Sequence, residues 1–289
     1  MKEIRPGIWF IAGENRGRYP YSHSLWIEGG ENLLIDAGAG PALHGLTGKT
    51  GRVVLSHYHR DHVACNSFFE GASFSIHADD AAGVESREGF LRLSGLDRVD
   101  IDSYWKMVRQ TNFMPTKMDY RFRDGEYIDS GNLKIRVLHL PGHTPGHCGF
   151  LVEDYNLIFS ADIDLSEFGP WYGNTTSDLE QFRRSIRRLR EMKPDILVTG
   201  HGRPVEGDPE RMLKEYEEVL DRRDEAIIEA LKKQPATLEE LVPKRIIYPR
   251  HYGREILLYF ERNMLEKHLD KLLAGGMAAL EDNGRYEAL

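Results

Sequence analysis

The chain has 289 residues, 40% of them hydrophobic, enough to fill one large core and a smaller one. Its net charge of −8 gives no general attraction for nucleic acid or an anionic membrane, and no apolar run reaches the ~20 residues a membrane-spanning helix needs. Two cysteines, Cys65 and Cys148, cannot build a disulfide framework, and the charged start Met1 to Arg5 leads into no apolar signal region, so the expectation is a reduced, soluble, cytoplasmic protein of open oligomeric state.

Short strands are expected over Ile8 to Ala12 and His23 to Glu28, with Gly17 and Pro20 in the turn between them. Asn32 to Ile35 is an apolar run that closes on Asp36 and a pair of glycines, which puts Asp36 at a strand end, where loops carry function. Arg52 to Leu55 is the next strand. It delivers Ser56-His57-Tyr58-His59-Arg60-Asp61-His62, in which His57, His59, Asp61 and His62 can fan around one point because a turn breaks the alternation of a strand. Imidazole nitrogen and carboxylate oxygen are the donors that zinc and related first-row divalent ions accept. A helix start follows at His62 to Gly71, then a strand at Ser73 to His77, where His77 reads as a strand-end residue rather than a ligand.

From Asp79 to Met118 apolar residues recur at helical spacing, so this stretch is expected as a helical insertion over the mouth of the site, with Tyr104 and Trp105 as lid residues. Arg121 to Leu138 gives strands split by turns at Asp124-Gly125 and Ser130-Gly131-Asn132. The strand into Pro141-Gly142-His143-Thr144-Pro145-Gly146-His147 exposes a histidine at its end, and Leu157 to Asp162 is another apolar run closing on an acid. Phe168 to Asn174 is an aromatic loop carrying Trp171 and Tyr172, Asp178 to Met192 an Arg-rich amphipathic helix, and Ile196 to Thr199 a strand ending on Gly200-His201.

After Pro204 the pattern turns helical. Helices are expected over Glu210 to Leu231, Leu238 to Val242 (capped by Thr237 with Glu240 three residues on) and about Arg254 to Ala274, followed by a hairpin around Asn283-Gly284. This order resembles a winged helix, so the chain divides into residues 1–206 and a helical C-terminal domain over 207–289.

Seven donors stand at strand ends: His57, His59, Asp61, His62, His143, Asp162 and His201. Two metal ions need about this number, with three protein ligands each and a carboxylate between them. Metal-activated hydroxide would then attack a carbonyl or phosphorus, and no Ser or Cys nucleophile is required.

The ordered motifs His-Tyr-His-Arg-Asp-His (57 to 62), Pro-Gly-His-Thr-Pro-Gly-His (141 to 147), Ser-Ala-Asp (160 to 162) and Thr-Gly-His (199 to 201) resemble the metallo-β-lactamase superfamily over about Ile8 to Pro204. The nearest resemblance is to glyoxalase II-type hydrolases, with a C-terminal region similar to that of the β-lactamase-like protein 2 group. The resemblance implies an α+β fold, an αββα sandwich with metals at the strand ends. It assigns His57, His59 and His143 to a first metal, Asp61, His62 and His201 to a second, and Asp162 to a bridge. Asp36 matches an acid that orients a ligand, and His147 is assigned a supporting place behind the ligands. Two divalent ions are implied, zinc first, with iron or manganese as alternatives.

Departures from the family narrow the chemistry. Asp162 stands where zinc β-lactamases often carry cysteine, and His59 where flavodiiron proteins have glutamate. The loops Asp162 to Leu165 and Phe168 to Asn174 do not match the segment that follows the bridging acid in glyoxalase II, and the sequence shows no set of glutathione-binding basic residues. The expected function is hydrolysis of a small ester, thioester or lactone, with Asp61 holding the attacking hydroxide and Trp171 and Tyr172 in the substrate pocket. Two alternatives stand beside it: a mononuclear-iron persulfide dioxygenase that reuses His57, His59 and Asp162, and a nuclease or nucleic-acid binder working through the C-terminal domain. Residues 207–289 hold 14 Lys/Arg against 18 Asp/Glu, which weakens the last.

Overall fold

A computed structural model describes residues 1–98, 114–249 and 255–289. Strands β1 (Lys2–Arg5), β2 (Ile8–Ile11), β3 (Ser24–Ile27), β4 (Leu33–Ile35), β5 (Arg52–Val54), β6 (Ser73–His77) and β7 (Tyr120–Phe122) lie side by side in chain order as a seven-stranded sheet. Neighbours are antiparallel as far as β4 and parallel from β4 to β7. A six-stranded sheet takes β8 (Tyr127–Asp129), β9 (Lys134–His139), β10 (Cys148–Val152), β11 (Leu157–Phe159), β12 (Ile196–Val198) and β13 (Val205–Glu206), in the order β13-β12-β11-β10-β9-β8. Only β11 and β12 run parallel there.

Alternation along each strand decides the layers, because successive side chains leave opposite faces of a sheet. Leu25, Ile27, Leu33 and Ile35 of the first sheet share one buried cluster with Leu157, Phe159, Ile196 and Val198 of the second. The residues between them face outward: Trp26 and Leu34 pack in a cluster with Val84 and Phe90, and Ile158 and Leu197 in one with Phe182 and Ile186. The first outer layer thus holds the helices α2 (Ala81–Glu85) and α3 (Arg87–Ser94), beyond the single turn α1 (Arg60–Val63); the second holds α4 (Leu179–Met192). Helix, sheet, sheet, helix is the expected α+β sandwich.

Beyond β13 come α5 (Pro209–Lys233), α6 (Leu238–Leu241), α7 (Glu255–Ala274) and the hairpin β14 (Ala278–Leu280) with β15 (Tyr286–Ala288). Asp208 caps α5 ahead of Pro209, and Thr237 and Glu240 form a reciprocal capping box on α6, each satisfying backbone groups a helix start leaves open. Leu213, Leu220 and Ile227 of α5 and Met264, Leu265 and Leu269 of α7 join the same buried cluster as α4. The apolar core is therefore continuous across the 206/207 boundary.

The Arg-rich helix is observed as expected, and one other expectation differs. The Arg-rich face of α4 is occupied: Arg183, Arg187 and Arg190 all reach Glu217 on α5, and Arg183 reaches Asp221 at 2.8 Å. The expected helical insertion shows α2, α3 and a 3₁₀ turn at Leu96–Arg98, but residues 114–118 are not helical. Tyr104 and Trp105 lie outside the described residues.

Candidate metal centre

All seven donors converge at one edge of the sandwich, each delivered by a strand end. His57 and His59 follow β5, Asp61 and His62 lie in the short helix α1 just after it, His143 follows β9, Asp162 follows β11 and His201 follows β12. Close backbone approach makes this possible. A Cβ on Gly38 would lie 1.8 Å from the Asp61 carbonyl oxygen, and one on Gly200 would lie 2.8 Å from Cε1 of His62, so only glycine lets these strand ends close around the donors.

The donors form two groups, His57, His59, His143 and Asp162 in one and Asp61, His62 and His201 in the other; within each, the candidate ligand atoms all lie within 4.8 Å of one another. In the first, Nδ1 of His59 is 2.8 Å from Nε2 of His143, which is 3.1 Å from Oδ2 of Asp162. In the second, Nε2 of His62 is 3.4 Å from Nε2 of His201, and that atom is 3.4 Å from Oδ2 of Asp61. Asp162 belongs to both: its Oδ1 lies 2.8 Å from Nε2 of His62 and 3.4 Å from Nε2 of His201.

The outward ring nitrogens are all held. Nδ1 of His57 meets Oγ of Ser56 at 2.9 Å, Nδ1 of His143 donates to the Trp171 carbonyl at 2.8 Å, and Nδ1 of His201 to the Gly17 carbonyl at 2.5 Å. Nε2 of His59 sits 2.7 Å from the Asn174 amide. Asp36 binds three groups at once, taking the Ser56 N–H and hydroxyl and Nδ1 of His62 at 2.7, 2.8 and 2.7 Å. It does so from a left-handed backbone (φ 59°), a conformation that costs energy in a non-glycine residue. Ligand histidines are characteristically fixed in this way, by a partner on the nitrogen that does not bind metal.

The inward atoms fit divalent cations. Nε2 of His57 is buried with no hydrogen-bond partner, and so is Oδ1 of Asp162 despite its nearness to His62. Buried polar atoms are rarely left this way unless an ion or water completes them. Burial pushes His57 and His59 well below the usual imidazole range, which leaves them neutral and able to donate lone pairs. At Asp162 burial acts to raise the pKa, but the surrounding His62, His201 and His143 hold it well below the carboxylate range. His201 is pushed up to about 10: burial opposes this, and the attraction of Asp162 outweighs it.

His147, expected behind the ligands, uses both nitrogens away from the centre: Nδ1 meets the Leu140 carbonyl at 2.9 Å and Nε2 accepts the Asp162 N–H at 3.2 Å. A third group, His77, Asp79 and His139, is also compact. There the two imidazoles stack with centroids 4.1 Å apart and planes 9° from parallel, so in-plane lone pairs cannot converge on one ion.

A cavity of about 510 Å³ opens over the donors. Phe90, Leu96, Phe168, Trp171, Tyr248 and Phe260 supply apolar walls, and Arg18, Tyr19 and Arg60 also line it. The Trp171 ring lies 5.5 Å from those of His59 and His143. Tyr172 does not join it. It is fully buried, its hydroxyl 2.5 Å from Nε2 of His268 and 2.9 Å from Arg223. Sequence reasoning missed Asn174, Phe260 and the Ser56 hydroxyl. Only the last, between Leu55 and His57, had a position that could have signalled its role.

A family model of the metallo-β-lactamase superfamily matches residues 18–201, and the chain belongs to that superfamily. It is a hydrolase of the metallo-β-lactamase fold. Among its relatives is an atrochrysone carboxyl ACP thioesterase of Passalora fulva, 22% identical, the match covering 97% of this chain and 80% of the relative. A beta-lactamase-like protein 2 homolog of Drosophila melanogaster is 24% identical over 76% of this chain and 71% of its own. A solved metallo-beta-lactamase family protein of Thermus thermophilus superposes with a TM-score of 0.79 at 25% identity, covering 99% of this chain and all of the other, so the likeness includes the C-terminal helices. Among the described residues no helix is long and apolar enough to cross a membrane.

Proposed function

We propose that the chain binds two divalent metal ions, zinc first, and hydrolyses a small ester, thioester or lactone. The observation that carries this reading is the paired donor set: two complete groups of ligands share the carboxylate of Asp162. His57, His59 and His143 would hold one ion, Asp61, His62 and His201 the other. Bound divalent ions supply Lewis acidity, lowering the pKa of water towards ~7 and polarising a carbonyl oxygen. Asp61 has a further part, because a carboxylate at the rim of the second group can accept a proton of the attacking water and aim its lone pair at the substrate. The apolar walls exclude bulk water and suit an organic acyl group better than a polyanion. The thioesterase among the relatives agrees with this substrate class.

Residues 207–289 serve the pocket in this reading, as a winged-helix-like unit after a boundary near 206, since Tyr248, Ile256, Leu257 and Phe260 line it. An iron dioxygenase using His57, His59 and Asp162 would leave the second group without a task. Metal analysis of protein purified without added metal, with a screen of thioesters, esters, lactones, phosphodiesters and RNA, decides between them. The expected result is about two zinc ions per chain and turnover of the carbonyl substrates, both lost in His143→Ala. One iron per chain with oxygen consumption, or cleavage of RNA alone, would overturn the proposal.

A further inference from the structure

His59 differs from the other candidate ligands in what holds its outer nitrogen. Trp171 and Gly17 offer carbonyl oxygens to His143 and His201, and Asp36 a carboxylate to His62, all of them acceptors. Nε2 of His59 instead meets a side-chain amide, that of Asn174, whose Nδ2 lies 2.7 Å from it and 2.7 Å from the hydroxyl of Tyr58. A neutral imidazole carries its lone pair on one nitrogen and its proton on the other. Nδ1 of His59 faces the donor cluster, 2.8 Å from Nε2 of His143. A lone pair spent there puts the ring proton on Nε2, where an NH₂ group opposite it would set donor against donor. The Tyr58 hydroxyl, fully buried, accepts from Nδ2 in that orientation and can equally donate to an oxygen in its place.

We propose that Asn174 is the positioning residue of His59, with Oδ1 rather than Nδ2 facing it in the metal-loaded protein, where Oδ1 accepts both the His59 Nε2–H and the Tyr58 hydroxyl. Oxygen and nitrogen of an amide occupy nearly the same positions, so this orientation fits the same 2.7 Å distances, and one carbonyl oxygen has two lone pairs for the two donors.

The C-terminal helices hold this arrangement in place. Asn174 ends the aromatic loop, and the backbone of that loop is gripped from α5 and α7: Arg223 donates to the carbonyls of Phe168 and Pro170 at 2.6 Å each, Asn263 to that of Gly173 at 2.8 Å and Lys267 to that of Asn174 at 3.0 Å. The same loop gives the Trp171 carbonyl to His143. Two of the three imidazoles of the first metal group are thus oriented by a loop whose position is set by residues beyond 206. This rests on the metal-site reading above and adds that the C-terminal helices are an outer layer of that site.

The test is zinc affinity, measured by competition with a chromophoric chelator on the full chain, together with the absorption spectrum of the cobalt-loaded protein. Asn174→Leu removes the acceptor and is expected to weaken the tighter-responding site about 10- to 100-fold and to change the cobalt spectrum. Asn174→Asp keeps an acceptor that cannot be a donor when ionised, and is expected to bind zinc within about threefold of the native chain, which a group needed only as a donor could not do. If the leucine variant does not fold, Asn174→Ala takes its place. Lys267→Met is expected to weaken the same site by a smaller factor while leaving the circular dichroism unchanged. Native affinity in the leucine or alanine variant, or an aspartate variant that falls as far as they do, would overturn the proposal. A native chain that binds no zinc or cobalt would fail differently, by removing the metal-site reading itself.

Discussion

Asp61 separates two jobs that a single carboxylate can do. Its Oδ2 stands 3.4 Å from Nε2 of His201, inside the second donor group, and the residue also lines the cavity, so one oxygen can bind metal while the other faces the reacting water. Asp61→Asn keeps the shape and one ligating oxygen but loses the charge that accepts a proton. We expect kcat to fall about 100-fold or more while bound metal stays above half of the native amount, because general-base assistance is commonly worth that factor. Equal losses of metal and rate, read by metal analysis beside steady-state kinetics, would leave Asp61 as a ligand only. Asp36 shows the opposite situation, a carboxylate with no exposure and three donors upon it, fit to hold others and too enclosed to reach a substrate.

At the scale of elements, α5 and α7 are joined by more than apolar contact. Asp224 on α5 accepts from His268 at 2.6 Å and pairs with Lys271, both on α7, and His268 in turn meets Tyr172 under the aromatic loop. Burial acts to raise the pKa of Asp224, but the hydrogen bonds and charges of His268 and Lys271 hold it below the ordinary carboxylate value. A folded-state pKa below the unfolded one means that the unfolded chain binds the proton more readily. The stabilisation is therefore complete above the unfolded value of ~3.9 and is lost as pH falls through the folded one. Asp224→Asn should lower the melting temperature at pH 7, and the gap from the native chain should narrow as pH is taken below about 4. A gap that stays constant from pH 7 to pH 3 would mean that the carboxylate contributes through shape and not through charge.

For the molecule as a whole, the sheet layers and the donor set were legible because they rest on local signals: alternation along Leu33 to Ile35 or Leu157 to Phe159, and ligand types crowded at strand ends. The edge strand β1 was not, since Lys2–Arg5 buries only Ile4 and so carries no period. Nor was the outer support of the site, since nothing near Asn174 in the chain indicates that His59, 115 residues away, will be its neighbour. Trp171 and Tyr172 show the limit most directly: adjacent aromatics with the same sequence context, one in the cavity wall and one in the core. Trp171 is where the two halves of the chain meet over the donor groups. Its ring is 5.1 Å from that of Phe260, its Nε1 donates to the Tyr248 hydroxyl, and its carbonyl holds His143. Trp171→Ala removes the ring and keeps the carbonyl, so metal content should be unchanged while the wall over the first donor group is lost. We expect kcat/KM to fall about tenfold or more, equivalent to ~1.4 kcal/mol or more of transition-state binding, with stability reduced by about 1–3 kcal/mol because the ring is only partly buried. Native kinetics with the full loss of stability would make Trp171 a strut between the two halves, and the substrate would then be sought against Arg18 and Tyr19, which line the same cavity.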